Sequence, residues 1–238
     1  MKTGYRVFDK NQAGILPADL IQISYWKTFG PDMDEIREMA SRCRDLGLGF
    51  VIHPVFTPLS ETRPGFREKN TEELVTLARM ADLGLIVHDE TLPGGGRLSG
   101  IWLEQYQETL ESLLSICPVS VENANNTPDI DWFWKTIGGS ITLDIGHFEA
   151  SGINSVQKVK SLPEEILDRV EYVHMHRKHV ERGGLVDHWP LTADCPEVKA
   201  LEELAIRKKN ISVILEINEM DCLGDSLDIL KRIAGSVG

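Results

Sequence analysis

Short runs of apolar, mostly β-branched residues alternate with longer amphipathic stretches along most of the chain. The short runs predict eight strands, at residues 5–8, 20–24, 49–53, 84–88, 119–123, 141–145, 171–176 and 212–217. Several of the longer stretches place apolar residues three and four positions apart, the spacing of one helix face. Residues 31–47 are an example, with Ile36, Met39, Cys43 and Leu46 on one face and Gly47 at the end.

Strands that alternate with helices indicate an α/β fold with a parallel sheet. Eight such units in 238 residues fit a (β/α)8 TIM barrel, and a doubly wound sheet is the alternative. The first strand is not followed by G-x-G-x-x-G, which disfavours a dinucleotide-binding version of that alternative. The first two connections are the least regular. No linker or repeat is visible, so we expect one domain over residues 1–238.

The formal net charge of −12 narrows the range of partners. A nucleic-acid binder normally carries a basic patch, whereas the densest basic pieces here are the short runs 177–179 and 207–209. No apolar run approaches the roughly 18 residues of a membrane span. The N-terminus lacks the basic-then-apolar layout of a signal peptide. We therefore expect a cytoplasmic enzyme with a small-molecule substrate, not a membrane or nucleic-acid binder; the oligomeric state stays open.

Polar side chains of catalytic and metal-binding types stand at the ends of the later predicted strands. They are His53, His88, Glu122, Asp144 with His147, His174 with His176, and Glu216, and Asp187 and His188 lie in the loop after the seventh strand. In a parallel barrel these ends meet at one rim, where TIM-barrel active sites lie. Burying such groups is costly unless they are paired or bind a metal, so we expect a divalent metal site.

The number of candidate ligands indicates more than one ion. Histidine with aspartate and glutamate suits zinc, manganese or a similar ion. Catalytic zinc usually takes three protein ligands and a water, so this set would serve two or three ions with a bridging carboxylate. Clustered ions activate water and stabilise attacking and leaving oxygens, which favours ester or phosphoester hydrolysis.

The segments VSVENA, TLDIGHFEASG, YVHMH, DHWPL and VILEIN resemble the xylose isomerase-like TIM barrels, the superfamily that holds endonuclease IV (AP endonuclease family 2) and sugar isomerases and epimerases. The resemblance covers about residues 45–220. From endonuclease IV it implies a zinc cluster bound by His53, His88, Glu122, Asp144, His147, His174, His188 and Glu216. From the ketose 3-epimerases it implies one manganese-type ion on Glu122, Asp144, His174 and Glu216, with Glu122 and Glu216 as acid and base beside a carbonyl.

The chain departs from both patterns. Endonuclease IV has an aspartate two residues before its last loop histidine, whereas here that place is Val186 and Asp187 adjoins His188. Whether Asp187 is a ligand therefore stays open. The loop after His53 does not match the DNA-penetrating loop of the endonuclease. The epimerases do not call for histidines at positions 53 and 88, which favours more than one ion.

Other residues of the rim are candidates for substrate contacts or for support of the ligands. They are His176, Asp187, Asn123, Trp26, Trp189 and Arg177. The two tryptophans could wall a pocket, and Asn123 could contact substrate or shape a turn. Arg177 could contact a phosphate, although a solvated loop residue is the plainer interpretation.

Three functions follow, and we favour the first. It is multi-metal hydrolysis of a small phosphorylated or sugar-type substrate with two or three zinc ions, in which Glu122, Glu216 and His188 are the catalytic candidates. The second is a sugar or sugar-phosphate isomerase or epimerase with one manganese, cobalt or magnesium ion. The third is a non-catalytic metal- or ligand-binding barrel. The substrate itself depends on the loops at 54–70, 89–100 and 177–197.

Overall fold

Eight parallel strands close into a barrel in the computed structural model of the chain. It describes residues 1–28, 30–181 and 184–236, and leaves the side chains of residues 180–186 undescribed. The barrel strands are β1 (Lys2–Val7), β2 (Leu20–Trp26), β3 (Gly49–Val55), β4 (Gly84–His88), β5 (Val119–Glu122), β6 (Ser140–Asp144), β7 (Val170–Met175) and β10 (Ser212–Leu215). They follow one another around the barrel, and β10 pairs with β1. The predicted TIM barrel and its eight strands are confirmed.

Helices surround the barrel. They are α1 (Met33–Asp45), α2 (Phe66–Met80), α3 (Ile101–Leu114), α4 (Ile130–Ile137), α5 (Ile145–Ala150), α6 (Ser155–Ser161), α7 (Glu164–Leu167), α8 (Pro196–Arg207) and α9 (Leu223–Ser236). Single-turn 3₁₀ helices at Thr127–Asp129 and Met220–Cys222 precede α4 and α9. Within the described ranges, no helix is long and apolar enough to cross a bilayer.

Two connections differ from the regular alternation of strand and helix. Residues 8–19, between β1 and β2, form turns and no helix, so the first unit departs from the (β/α)8 pattern. After β7 the chain forms an antiparallel hairpin of β8 (Arg177–Glu181) and β9 (Gly184–Trp189) before α8 begins. The sequence predicted a loop at this place, and that part of the prediction is wrong.

Local sequence explains where α1 begins. The Asp32 side chain accepts the N–H groups of Asp34 and Glu35, and the Glu35 side chain in turn accepts the N–H of Asp32. This reciprocal capping satisfies donors that a helix start otherwise leaves unpaired. The buried face of α1, with Ile36, Met39 and Cys43, is the face that the sequence periodicity predicted.

The apolar interior has two parts. The large part contains the buried faces of the helices and residues such as Phe50, Ile52 and Leu85 from the strands they cover. The small part consists of Leu20, Val51, Ile86 and Ile214, from four barrel strands. Because strand side chains alternate between faces, residues two positions further along these strands share a face with this small cluster. Three of them, His53, His88 and Glu216, are candidate ligands.

Candidate metal centre

The candidate ligands form neighbouring groups, some of which share residues, at the C-terminal rim of the barrel. Within each group the possible ligand atoms lie within 4.8 Å of one another. The first group is His53, His88 and Glu122; the central group is Glu122, Asp144, His174 and Glu216; the third group is His147, His176, Asp187 and His188. His53, His174 and Glu216 meet the same distance. The structure therefore brings together every residue that the sequence proposed as a ligand, and adds His176 and Asp187 to them.

Glu122, the last residue of β5, lies between the first and central groups. Its Oε2 is 3.2 Å from His53 Nε2 and 3.7 Å from His88 Nε2, while its Oε1 is 3.1 Å from His174 Nδ1. The carboxylate is fully buried, and neither oxygen has an aligned hydrogen-bond partner in the described part of the chain. A buried carboxylate without such partners is costly. Glu122 therefore fits a ligand that bridges two cations.

His174, on β7 and separated from β5 by one strand, gives the same indication. It is fully buried, and neither ring nitrogen has an aligned hydrogen-bond partner among the described residues. Burial by itself lowers the pKa of His174, but the carboxylates of Glu122 and Glu216 outweigh it and raise the pKa to about 9. Burial raises the pKa of Glu122, whereas the charges of His174 and His53 hold it well below its ordinary value. The raised pKa of His174 shows that these carboxylates favour a positive charge at this position.

Three candidate histidines are fixed in one tautomer by the backbone. Each places Nδ1 against a carbonyl oxygen: His53 at 2.8 Å from Ile86, His147 at 2.8 Å from Asn123, and His188 at 3.0 Å from Glu216. A carbonyl only accepts, so Nδ1 carries the proton and Nε2 keeps its lone pair. This division of the two nitrogens is typical of metal-binding histidines.

The spacing of Asp144 and His147 follows from the junction of β6 with α5. Asp144 ends the strand and is also the N-cap of the helix, where its Oδ1 accepts the N–H of His147 at 2.7 Å. Asn123 supports this junction, since its amide donates to the Asp144 carbonyl and accepts the Asp144 N–H. The Asn123 side chain is fully buried and occupied by these bonds, so it holds the backbone of Asp144 rather than lining a pocket.

Glu216 is held by two residues that the sequence analysis did not single out. The Gln22 amide donates to its Oε1, and the Arg6 guanidinium lies 3.5 Å from its Oε2. Arg6 also donates to Asn218 at 2.7 Å. Burial raises the pKa of Glu216, but His174 and Arg6 bring it well below the ordinary value. The sequence signal for these residues was weak: Arg6 and Gln22 are long polar side chains between apolar neighbours in β1 and β2.

His188 has a backbone conformation that non-glycine residues rarely adopt, with φ of 59°. This conformation places its Nδ1 on the Glu216 carbonyl and leaves its ring partly exposed. Such strain is concentrated at functional sites. Asp187, the residue before it, lies 3.8 Å from His147 Nε2 and 2.7 Å from His176 Nδ1. The side chain of Val186, at the place of the endonuclease aspartate, is outside the described residues.

Trp26 stands at the rim, whereas Arg177 and Trp189 belong to the hairpin. Trp26 contacts Phe8 and Phe56 edge to face and lines a cavity of about 430 Å³. Arg177 pairs with Trp189 across the hairpin, and the Trp189 ring contacts His179. Among the described residues, no hydrogen bond, ion pair or ring contact joins either of these two side chains to the candidate ligands.

A cavity of about 300 Å³ opens beside the first group. Its lining includes His88, Phe56, Thr57, Glu90 and Asn125. The Thr57 hydroxyl is buried without a hydrogen-bond partner in the described structure. The volume suits a small molecule next to the His88 ring.

Solved structures that are similar to this chain in fold include 3-epimerases of sugars, a 3-epimerase-like protein and an endonuclease IV. A D-tagatose 3-epimerase-like protein is 16% identical, with a TM-score of 0.72 over 100% of this chain and 98% of its own. Endonuclease IV from Thermus thermophilus is 16% identical, with a TM-score of 0.67 over 99% and 100%. An L-ribulose 3-epimerase is 14% identical, with a TM-score of 0.62 over 99% and 95%. The resemblance seen in the sequence is thus confirmed at the level of the fold.

Comparison at the sequence level adds nothing to this. No family model matches the chain, and no curated protein matches it.

Proposed function

We propose that this protein is a divalent-metal-dependent enzyme that binds two or three ions and hydrolyses a small phosphorylated or sugar-type substrate. The observation that carries the proposal is the position of Glu122, whose two oxygens face different sets of histidines. Its Oε2 faces His53 and His88, and its Oε1 faces His174. One ion would not require histidines on both sides of the carboxylate.

The donor set supports zinc as the preferred metal. The first group offers two imidazoles and one carboxylate, the number of protein ligands that catalytic zinc usually takes. The third group also combines imidazoles with one carboxylate, whereas the central group has three carboxylates and one imidazole. Divalent ions in such sites activate water and stabilise negative charge on the reacting oxygens.

The protein's own residues would bind the ions, transfer protons and hold the substrate. Glu122 would be a ligand shared by neighbouring cations. Glu216 Oε2, oriented by Arg6, is placed to accept a proton from an attacking water. His188, with a quarter of its side chain exposed, is the candidate for proton transfer on the solvent side. The cavity beside His88 would hold the substrate away from bulk water.

A small molecule is the proposed partner, and nucleic acid is not. The net charge of −12 disfavours a phosphate backbone. The cavity of about 300 Å³ has the size of a single small ligand. A cytoplasmic location remains part of this proposal.

A sugar or sugar-phosphate isomerase or epimerase is the second candidate. The central group alone is a complete four-residue set for one manganese, cobalt or magnesium ion, and it contains both Glu122 and Glu216. These two carboxylates would then move a proton beside the substrate carbonyl. The similarity in fold to a D-tagatose 3-epimerase-like protein and an L-ribulose 3-epimerase supports this candidate. The third candidate, a non-catalytic metal- or ligand-binding barrel, predicts binding without turnover.

Elemental analysis of protein purified without chelators or a metal column tests the proposal. Two or three zinc-like ions per chain, with hydrolysis of phosphoester or glycoside panels, would support the hydrolase. One manganese, cobalt or magnesium ion, with exchange of the proton beside the carbonyl of a ketose in D₂O, would replace it with the isomerase. Bound ions without turnover of any substrate would support the third candidate, the non-catalytic binding barrel. Failure to bind any added divalent ion would exclude both enzymes.

A further inference from the structure

Among the described residues, His176 is the histidine of the cluster whose two ring nitrogens both lie within 3.2 Å of carboxylate oxygens, whereas the corresponding contacts of His147 are 3.5 to 3.8 Å. Its Nδ1 is 2.7 Å from Asp187 Oδ1, and its Nε2 is 3.2 Å from Oδ1 and from Oδ2 of Asp144. Asp144 belongs to the central group and Asp187 to the third group. The fully buried imidazole of His176, itself a member of the third group, therefore contacts one carboxylate of each group.

The absence of a side chain at Gly146 leaves room for this ring. A Cβ atom on Gly146 would lie 2.2 Å from His176 Cε1 and 2.4 Å from its Nδ1, far inside van der Waals contact. Gly146 is not among the glycines with positive φ, so its backbone conformation does not require glycine. The His176 ring therefore occupies the space that a side chain at position 146 would need. Gly146 itself lies between Asp144 and His147 in the sequence.

We propose that His176 is a positioning residue that fixes the carboxylates of Asp144 and Asp187 and thereby couples metal binding at the central and third groups. The proposal rests on the proposed metal-dependent function. A carboxylate that is hydrogen-bonded on one side presents its remaining lone pairs in a defined direction, and such supporting partners tune metal affinity. One imidazole that supports two carboxylates makes the orientation of each depend on the other.

The contacts favour this role over a role as a fourth ligand of the third group. His176 Nδ1 lies 2.7 Å from Asp187 Oδ1 and 3.4 Å from the backbone N of His188, and Nε2 lies 3.2 Å from both oxygens of Asp144, so both ring nitrogens already contact protein groups. By contrast, His147 and His188 in the same group give Nδ1 to backbone carbonyls and keep Nε2 for a ligand role.

Titration with Co²⁺ followed by its visible absorption, with a competing chelator to set the affinities, tests the proposal on the full chain. His176→Ala is compared with His179→Ala, which removes a histidine outside all the ligand groups. We expect His176→Ala to bind the same number of Co²⁺ ions with the same spectrum. We expect the affinity of two of these ions to fall about 10- to 100-fold, with loss of cooperativity between them. His179→Ala should match the wild type.

Two further variants separate positioning from packing. His176→Gln keeps one N–H donor and should restore much of the affinity at one of the two weakened sites. Gly146→Ala keeps the His176 side chain but displaces its ring, so it should lower the Co²⁺ affinity as His176→Ala does. Its matched control is Gly224→Ala, where an added Cβ meets nothing within 4 Å.

Three results would overturn the proposal. Unchanged affinities in folded His176→Ala or Gly146→Ala would reduce His176 to a packing residue. Loss of one whole Co²⁺ equivalent with a changed spectrum would make His176 a ligand instead. If the wild type itself binds no Co²⁺, the proposed function fails together with this proposal. If the wild type binds several ions and the variants bind them equally well, only this proposal fails.

Discussion

The Nε2 atoms of His53 and His88 lie 3.1 Å apart beside the Glu122 carboxylate. Because the Nδ1 proton of His53 goes to the Ile86 carbonyl, its Nε2 presents a lone pair to His88. Two imidazole nitrogens and a carboxylate oxygen that converge in this way would supply the three protein ligands that a catalytic zinc ion usually takes. The pair is also where the hydrolase and the epimerase hypotheses make opposite predictions.

Replacing both histidines, as His53→Ala with His88→Ala, should remove one bound ion per chain. If the enzyme is a multi-metal hydrolase, we expect hydrolysis to fall at least about 100-fold, because losing ligands should cost more than losing their supporting partners. Elemental analysis and initial rates measure both effects, and His179→Ala is the matched control. An unchanged ion count with undiminished ketose epimerisation would support the single-metal enzyme.

The strands and the rim residues could be predicted because both depend on local pattern. A buried strand such as β4 is a continuous apolar run, and the polar residue that ends it, His88, interrupts the run. Parallel topology then brings such ends together. For this reason His53, Glu122, Asp144 and Glu216 were identified from the sequence as members of one cluster, although their roles remain predictions.

The residues that support the cluster could not be predicted, because their partners depend on long-range pairing. Arg6 meets Glu216 only because β1 closes the barrel against β10. The hairpin of β8 and β9 was missed because its polar residues indicate a loop, although adjacent glycines at 183 and 184 are a hairpin signal. Residues 8–19 contain no periodic pattern strong enough to show whether a helix is present.

Acid should destabilise the metal-free protein through His88. Burial outweighs the effects of the nearby charges and lowers its pKa from the ordinary 6.5 to about 4 in the folded state. Below about pH 6.5, His88 binds a proton in the unfolded chain but stays neutral in the folded chain. The contribution of neutral His88 to the free energy of unfolding is therefore present above pH 6.5 and is lost as the pH falls towards 4. The loss is at most about 3 kcal/mol.

Urea unfolding of chelator-treated wild type and His88→Gln between pH 7 and pH 4 measures this contribution. As the pH falls, the free energy of unfolding should decrease more for the wild type than for the variant. A difference that stays constant over this range would contradict the lowered pKa of His88. His179→Gln serves as the control for replacing a histidine outside the metal groups.

Gly84, the first residue of β4, should not tolerate a side chain. Its φ is 121°, and a Cβ there would lie 2.2 Å from the carbonyl oxygen of Pro118, which belongs to a backbone and cannot rotate away. We expect Gly84→Ala to lower the free energy of unfolding by about 3 to 5 kcal/mol, or the melting temperature by roughly 10 °C. Gly94→Ala, where the new Cβ meets nothing within 4 Å, should change stability by less than about 0.5 kcal/mol. Equal melting temperatures for the two variants would refute the steric argument.

Asp89 should hold the conformation of the loop that follows Glu122. The carboxylate is fully buried and accepts the backbone N–H groups of Ala124 at 2.6 Å, and of Asn125 and Asn126 at 2.7 Å each. Asp89→Ala leaves all three donors without this partner, so we expect the free energy of unfolding to fall by about 2 to 4 kcal/mol. Amide hydrogen exchange at residues 124–126 should accelerate more than exchange in the barrel strands.

The control for Asp89 is Glu111→Ala, which removes an exposed carboxylate from α3 and should change stability by less than about 0.5 kcal/mol. Because Glu122 ends the strand directly before this loop, Asp89→Ala should also weaken binding at the first and central groups without changing the number of ions bound. Unchanged exchange at residues 124–126 would show that other contacts hold the loop. Faster exchange with undiminished metal affinity would show that the loop moves independently of Glu122.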